Sequence, residues 1–546
     1  MGIHDERDVR KMKFDLLIRN GSVYDGSLTA RGDCQDIGII GGRIAAMGKL
    51  DQDAHEVLDA EGLVVSPGFI DVHAHSELSV WQEPDCLAKA SQGVTTELTG
   101  QCGLSAYPAL PKAEQEIRDY TGSVLGRTDR WPWQDLEGYR REVLRRGMAI
   151  NQGTFVGQGN LRINAMDFED RKATAAELEE MKALLVRELD SGVFGLSTGL
   201  VYAPGVFTDT EELIQLARIC AQRGGIYTTH MRNEGNRLLE AVDEAITIAR
   251  QSGVPLILSH LKAVGRPNHG KVKQVLARME QEAEAGLQIY GDSYPYDASS
   301  TTMTVILPPW TMSGGMDGLL AILQSPDKRN EILNIFQNGM EGWDNRVVNI
   351  GYDRIRIASV ESEKNRALEG LSLTEGGARL NKRPGEFILD LLLEERGQVA
   401  AILQGMSEED VAAALSSPRI MVCSDGITVG QKHHPRLFGS FTRYLGRYAD
   451  LTAPEGIAAA VHKLTALPAQ VYGLEGIGQL KVGNWADITV FDPEKVMDRA
   501  TFAQPKLLSD GIETVVVGGQ VIMRGHRPTG ALPGRFLRRK GCPAQD

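Results

Sequence analysis

Two histidines, His73 and His75, stand two residues apart at the end of an apolar segment, residues 67–72. In a β-strand, side chains at positions i and i+2 lie on one face, so both imidazoles are expected to point the same way. Two neutral imidazoles that converge on one point suit zinc or another transition metal. The pair alone is equally compatible with two unrelated surface histidines, so the metal hypothesis depends on ligands elsewhere in the chain.

Further residues of metal-ligating type follow later apolar segments, and they are Cys102, His230, His260 and Asp425. Each of them alone has an ordinary explanation, as a buried thiol, a hydrogen-bonded core histidine or a turn-forming aspartate. All of them, however, stand where a predicted strand ends. Together with the histidine pair, they favour one common site.

The elements that must position these residues are short apolar segments alternating with amphipathic stretches, which predict β-strands and helices in turn. Eight strands are expected, the first ending in the histidine pair and the last leading to Asp425. The α/β fold class follows, and a (β/α)8 TIM-like barrel fits the strand count. A doubly wound open sheet shows the same local pattern. In a barrel, all six residues would meet at the rim formed by the C-terminal strand ends.

Short alternating strands with turn signals recur at both ends of the chain. We therefore predict a small β-sandwich whose N-terminal part is residues 1–66 and whose C-terminal part is residues 478–546. The barrel domain is predicted over residues 67–477. Within it, the interval of about 303–377 is too long for one strand–helix unit, so an inserted subdomain is expected before the last barrel strand, in the position of a lid.

Composition limits the partners and the compartment. The formal net charge of −13 over 546 residues argues against a nucleic acid or an anionic membrane as partner. The six cysteines show no paired spacing, which favours a reducing compartment. The first residues are charged rather than apolar, and no run is long enough to span a bilayer. We therefore predict a cytoplasmic protein with a small-molecule partner.

Several segments of the chain also resemble a known protein family. Residues 67–75, the strand-end histidines and Asp425 resemble the amidohydrolase superfamily of metal-dependent hydrolases. More narrowly, the chain resembles the N-acyl-D-amino-acid deacylases, or D-aminoacylases, over nearly its whole length, most clearly at residues 93–103, 195–202, 259–262, 294–296 and 434–436.

This resemblance implies a zinc ion held chiefly by Cys102, His230 and His260. A second and often weaker metal position would be formed by His73, His75 and Asp425. The fourth predicted strand contains no lysine that could bridge two metals, as many relatives in the superfamily have, and this agrees with Cys102 in the bridging role.

The implied activity is zinc-dependent hydrolysis of N-acyl-D-amino acids to a carboxylate and a free D-amino acid. Asp425 is expected to act as general acid and base. The predicted substrate-binding residues are Arg436 and Tyr202 for the α-carboxylate, with Lys262 and Tyr294 as walls of the side-chain pocket.

The resemblance also bears on the substrate side chain, because family members specialised for acidic D-amino acids would be expected to have a further cation just after residues 294–296. The stretch from residue 297 to 310 contains no lysine or arginine, so neutral or apolar substrate side chains are expected. Two alternatives stay open at this point. A cyclic-amide hydrolase or dipeptidase would use the same water chemistry on the same barrel. A non-catalytic scaffold would have lost ligands, whereas all six are present.

Overall fold

A closed ring of parallel β-strands lies at the centre of the computed structural model, which describes residues 13–542. Every neighbouring pair in the ring is parallel. Gly426–Ile427 pairs with Ala74–His75 and so joins the last strand to the first. This closure confirms the predicted (β/α)8 barrel over the open sheet. In order, the eight strands are Phe69–Asp71 with Ala74–His75, Val94–Thr99, Asn151–Thr154 with Val156–Gly157, Gly195–Gly199, Ile226–His230, Leu256–Leu258, Ile289–Ser293, and Ile420–Val422 with Gly426–Ile427.

Helices connect the barrel strands. One of them, Ala175–Asp190, begins with a capping box in which Thr174 and Glu177 satisfy each other's backbone N–H groups. The α-helices between and after the strands are Glu77–Gln82, Leu87–Ala90, Glu114–Leu125, Leu136–Arg146, Gln158–Met166, Ala175–Asp190, Thr210–Gln222, Leu238–Ser252, Lys271–Glu284, Glu408–Ser416, Arg436–Arg447, Pro454–Leu464 and Ala466–Tyr472.

Both ends of the chain contribute strands to one nine-stranded sheet. Val64–Pro67 pairs antiparallel with Ile488–Phe491, and this contact joins the N-terminal strands to the C-terminal ones. A separate apolar core lies on this sheet, formed by side chains from both chain ends. The strands are Phe14–Val23, Asp33–Ile40, Arg43–Gly48, Ala54–Asp59, Val64–Pro67, Ile488–Phe491, Ile512–Val517, Gln520–Arg524 and Arg527–Pro528.

An inserted unit separates the seventh and eighth barrel strands, and it extends beyond the predicted 303–377. Its three-stranded sheet consists of Ser299–Thr302, Ile355–Ser359 and Ala400–Leu403. The first and last of these strands pair antiparallel, so the unit begins and ends where they do. It has its own apolar core and the α-helices Gly315–Gln324, Pro326–Asn338, Arg346–Ile350, Leu373–Arg379 and Pro384–Glu394.

We propose the divisions after residues 66 and 477 as the domain boundaries. Residues 1–12 and 543–546 of the two outer segments lie outside the described residues. Within residues 13–542, no helix combines the length and the apolar character needed to cross a bilayer.

Candidate metal centre and active site

All six predicted ligands lie together and buried at the C-terminal rim of the barrel. The donor atoms of His73, His75, Cys102 and Asp425 lie within 4.8 Å of one another, and so do those of Cys102, His230 and His260. Cys102 belongs to both groups. Its sulfur can therefore serve two adjacent metal positions.

The distances within the cluster support this arrangement. The Cys102 sulfur lies 3.3 Å from His73 Nε2 and 3.2 Å from His260 Nε2. Asp425 Oδ1 lies 3.2 Å from His75 Nε2. The Nδ1 atom of His230 is buried without a hydrogen-bond partner, which a core histidine would not tolerate without cost. A thiolate with imidazoles and a carboxylate is a donor set that suits zinc, so the residues present fit this metal.

Neighbouring charges favour the ionised forms of Cys102 and Asp425, and these are the forms that bind a metal cation. Burial raises the pKa of the Cys102 thiol, but His73 and His260 outweigh burial and hold that pKa well below its ordinary value. Burial likewise opposes ionisation of Asp425, whereas Arg436 and His260 hold the pKa of its carboxyl well below the usual range. Because metal ligands bind in their deprotonated forms, both groups are ready to act as ligands.

The backbone is strained at three of these ligands. Cys102, His260 and Asp425 adopt positive φ angles of 57°, 34° and 47°. Only eight non-glycine residues of the described chain have a positive φ. Each such residue costs on the order of 1–3 kcal/mol and persists only where the surrounding structure imposes it. The concentration of strain at the strand ends indicates that the ligand positions are fixed by the fold.

Two carboxylates that the sequence reasoning missed orient the imidazoles. Asp292 Oδ1 lies 3.4 Å from His73 Nδ1 and accepts a 2.7 Å hydrogen bond from the backbone N–H of His260. Glu234 lies 3.2 Å from His260 Nδ1 and 3.3 Å from His230 Nε2. Such outer contacts fix the orientation of ligating histidines. A signal existed for both, because Asp292 ends the seventh strand region and Glu234 follows His230 by four residues.

A buried aspartate ties the first strand to the eighth. Asp71 accepts hydrogen bonds from the backbone N–H of Ser424 at 2.9 Å and from its hydroxyl at 2.5 Å. Lys89, also buried, contacts the same carboxylate. Since Ser424 immediately precedes Asp425, Asp71 holds the two ends of the barrel seam in register.

The predicted substrate-binding residues fall into two places. Tyr202 and Lys262 line a small hollow at the ligand cluster. Arg436 and Tyr294 are fully buried and line no described cavity. The Arg436 guanidinium lies 2.7 Å from Asp425, and the Tyr294 ring lies beneath it at 4.5 Å. Tyr294 therefore supports Arg436, and its role as a wall of the side-chain pocket stays a prediction.

A cavity of about 400 Å³ adjoins this hollow, and the inserted unit forms part of its wall. The two spaces share Leu104, Val124, Tyr202 and Arg346 as lining residues. A closed barrel with imidazole, thiolate and carboxylate ligands on its rim, open to a cavity of this size, is the arrangement of a metal-dependent barrel hydrolase.

Comparison with known proteins agrees with this class. The model of the amidohydrolase family (Amidohydro_3) matches residues 56–297 and 378–523. The chain is 36% identical over 531 residues to an N-acyl-D-glutamate deacylase of Alcaligenes xylosoxydans xylosoxydans, covering 96% of this chain and 97% of that protein.

Two solved structures are also similar over 96% of this chain and all of the other. One is the N-acyl-D-glutamate deacylase of Bordetella bronchiseptica in complex with zinc and a phosphonate inhibitor that mimics the tetrahedral intermediate, with 34% identity and a TM-score of 0.82. The other is a D-aminoacylase with a binuclear metal centre, described by one-metal activation and second-metal attenuation, with 33% identity and a TM-score of 0.81. The chain belongs to the amidohydrolase family, in its group of N-acyl-D-amino-acid deacylases.

The loop that carries Cys102 depends on a glycine. Gly100 has a φ of +75°, and a Cβ at this position would lie 2.1 Å from the carbonyl oxygen of Phe155 on the neighbouring strand. Gly62 has a similar φ of +78° but open space around it. Alanine substitutions at these two glycines therefore distinguish the cost of backbone strain, present at both, from the cost of the close approach, present only at Gly100.

We expect Gly100→Ala to lower the free energy of unfolding by about 3 kcal/mol, since overpacking of about 1–3 kcal/mol adds to about 1–2 kcal/mol of left-handed strain. Gly62→Ala, the control, should cost only the strain of about 1–2 kcal/mol. Urea unfolding followed by circular dichroism measures both. Equal unfolding midpoints for the two variants would show that the close approach is not the constraint.

Proposed function

We propose that this protein hydrolyses the amide bond of N-acyl-D-amino acids, releasing a carboxylate and a free D-amino acid, with zinc as its metal. The observation that carries this proposal is the position of Cys102, whose sulfur is shared by two groups of ligand-type side chains at the mouth of a substrate-sized cavity. The membership of the deacylase group supports the linear amide and the D configuration.

Cys102, His230 and His260 are the proposed tight zinc ligands. His73, His75 and Asp425 form, with the same thiolate, the proposed second and weaker position. Zinc in such a site supplies Lewis acidity, which polarises an amide carbonyl and lowers the pKa of water to about 7. The strained backbone and the Asp292 and Glu234 contacts hold the proposed ligand side chains in place.

Asp425 is the proposed general acid and base. Its carboxylate lies at the rim, and Arg436, 2.7 Å away, favours the ionised form that can accept a proton from the attacking water. The same carboxyl group can then return this proton to the departing nitrogen. General acid and base catalysis of this kind contributes roughly 10²–10⁴ in rate.

The α-carboxylate of the substrate needs a cation, and Arg436 is the proposed one. Its Nε atom is buried without a hydrogen-bond partner and so remains able to donate to a carboxylate, whereas Nη1 forms the ion pair with Asp425. Tyr202 is proposed to donate to the same group from the hollow, where its hydroxyl now contacts Thr301 Oγ1 at 2.7 Å. Lys262 lines the same hollow, and its ammonium group donates a 2.6 Å hydrogen bond to the Glu234 carboxylate.

Neutral or apolar D side chains are the proposed preference. Much of the cavity wall is apolar, including Phe168, Val305, Leu307 and Met312. Burial of a leucine or methionine side chain there would contribute about 1.5–3 kcal/mol. The proposed partner is this small-molecule substrate. A cytoplasmic location is proposed because all six cysteines are free thiols.

We expect Asp425→Asn to reduce kcat for N-acetyl-D-leucine by roughly 10²–10⁴, because the amide cannot accept the water proton. Zinc retained after dialysis should change little, because Cys102, His230 and His260 remain. Asp129→Asn, at an exposed position, is the matched control and should behave as the unaltered protein. Near-normal turnover by the Asp425 variant would remove this residue from the role.

A substrate panel tests the reaction itself. We expect kcat/KM for N-acetyl-D-leucine to exceed that for N-acetyl-L-leucine by at least about 100-fold, because misplacement of the reacting amide by 1 Å costs that much. It should also exceed the value for N-acetyl-D-glutamate. Comparable values for these two D substrates would contradict the side-chain preference. Faster hydrolysis of dihydrouracil or of a dipeptide would instead identify a cyclic-amide hydrolase or a dipeptidase.

A further inference from the structure

Arg346 is a buried arginine of the inserted unit that lines both the hollow at the ligand cluster and the larger cavity. It is the first residue of the helix Arg346–Ile350. Among the residues described, its side chain makes no hydrogen bond and no ion pair. Burial of an arginine without a partner costs folding free energy. This cost indicates that the guanidinium binds an anion supplied by a ligand.

The other cations of these walls are already paired. Arg232 forms an ion pair with Glu244 at 2.9 Å, and Lys262 forms one with Glu234 at 2.6 Å. The cavity wall also carries five carboxylates, of which Asp119 is ion-paired with Arg127 and both Asp167 and Asp317 are exposed; the other two are Glu116 and Asp344. Among the residues described, Arg346 is thus the one cation of these walls that no carboxylate neutralises.

The backbone just before Arg346 is anchored at two residues. The Asn345 side chain caps the short helix by accepting from the Val348 N–H, and it donates to the Phe336 carbonyl at 2.9 Å. The Asp344 carboxylate accepts from the backbone N–H of Asn236 at 3.2 Å, which ties this segment to the loop after the fifth barrel strand. The arginine is therefore held in place over the site.

We propose that Arg346 determines acceptance of acidic substrates by binding the side-chain carboxylate of N-acyl-D-amino acids such as N-acyl-D-glutamate. This inference rests on the proposed deacylase function and deepens it. The guanidinium forms a bidentate pair with the carboxylate. The methylene groups of the substrate lie against the same apolar wall that favours leucine, so both kinds of side chain use one cavity.

The position of Arg346 favours a side-chain carboxylate over the α-carboxylate. The α-carboxylate lies two bonds from the scissile nitrogen and must stay beside the metal ligands, where Arg436 lies. Arg346 comes from the insert and also lines the outer cavity, so it can reach a group at the end of a side chain. It was not predicted from the sequence, because it lies outside residues 297–310, where a further cation was expected.

The test compares N-acetyl-D-glutamate with N-acetyl-D-glutamine, which has nearly the same shape but no charge. The unaltered protein should have the higher kcat/KM with glutamate. Arg346→Met should lower the glutamate value roughly 10- to 100-fold and leave those for glutamine and N-acetyl-D-leucine within about threefold, because only a charged pair is lost. Arg346→Lys should keep a preference for glutamate, because it keeps the charge.

Arg366→Met removes a solvent-exposed arginine of the same insert and is the matched control, for which no change in the ratio is expected. Equal losses on all three substrates in both Arg346 variants would show a structural role and overturn the proposal. So would a glutamine value equal to that of glutamate in the unaltered protein. If N-acetyl-D-leucine itself is not hydrolysed, the proposed deacylase function fails, which is a separate result.

Discussion

The active-site structure depends on one contact, the placement of the Cys102 sulfur between the imidazoles of His73 and His260 at 3.3 and 3.2 Å. The two imidazoles hold the pKa of the thiol low in spite of its burial, so the sulfur is available as a thiolate. Because it is a member of both ligand-type groups, any displacement of its loop would disturb both proposed metal positions at once. The close approach of Gly100 to the third strand is what keeps this loop in place.

The closed barrel and the hydrogen bonds at its seam hold the residues around Cys102 in position. Closure of the ring at Ala74–His75 and Gly426–Ile427 brings Asp425 beside the histidine pair, and Asp71 fixes that seam through Ser424. The inserted unit then adds part of the cavity wall and brings the unpaired guanidinium of Arg346. All six ligand-type residues lie on the barrel, so a change in the insert can alter substrate selectivity without replacing any of them.

The sequence allowed prediction of the fold class and of which ligand-type residues would meet, because strand-end positions are visible as breaks in an apolar pattern. It did not predict contacts that depend on how loops fold back over the rim. Asp292 and Glu234 reach the imidazoles from outside the cluster, and the Tyr294 ring packs under Arg436. Arg346 is placed by pairing and capping within the insert, where the short strands Ser299–Thr302 and Ala400–Leu403 gave no clear sequence signal.

Zinc K-edge X-ray absorption on the protein as purified tests the central claim most directly, because it counts the sulfur atoms bound to the metal. We expect a zinc coordination shell with one sulfur at about 2.3 Å beside nitrogen and oxygen at about 2.0–2.1 Å. A shell that contains only nitrogen and oxygen would contradict it, because Cys102 would then not be the ligand around which the site is built.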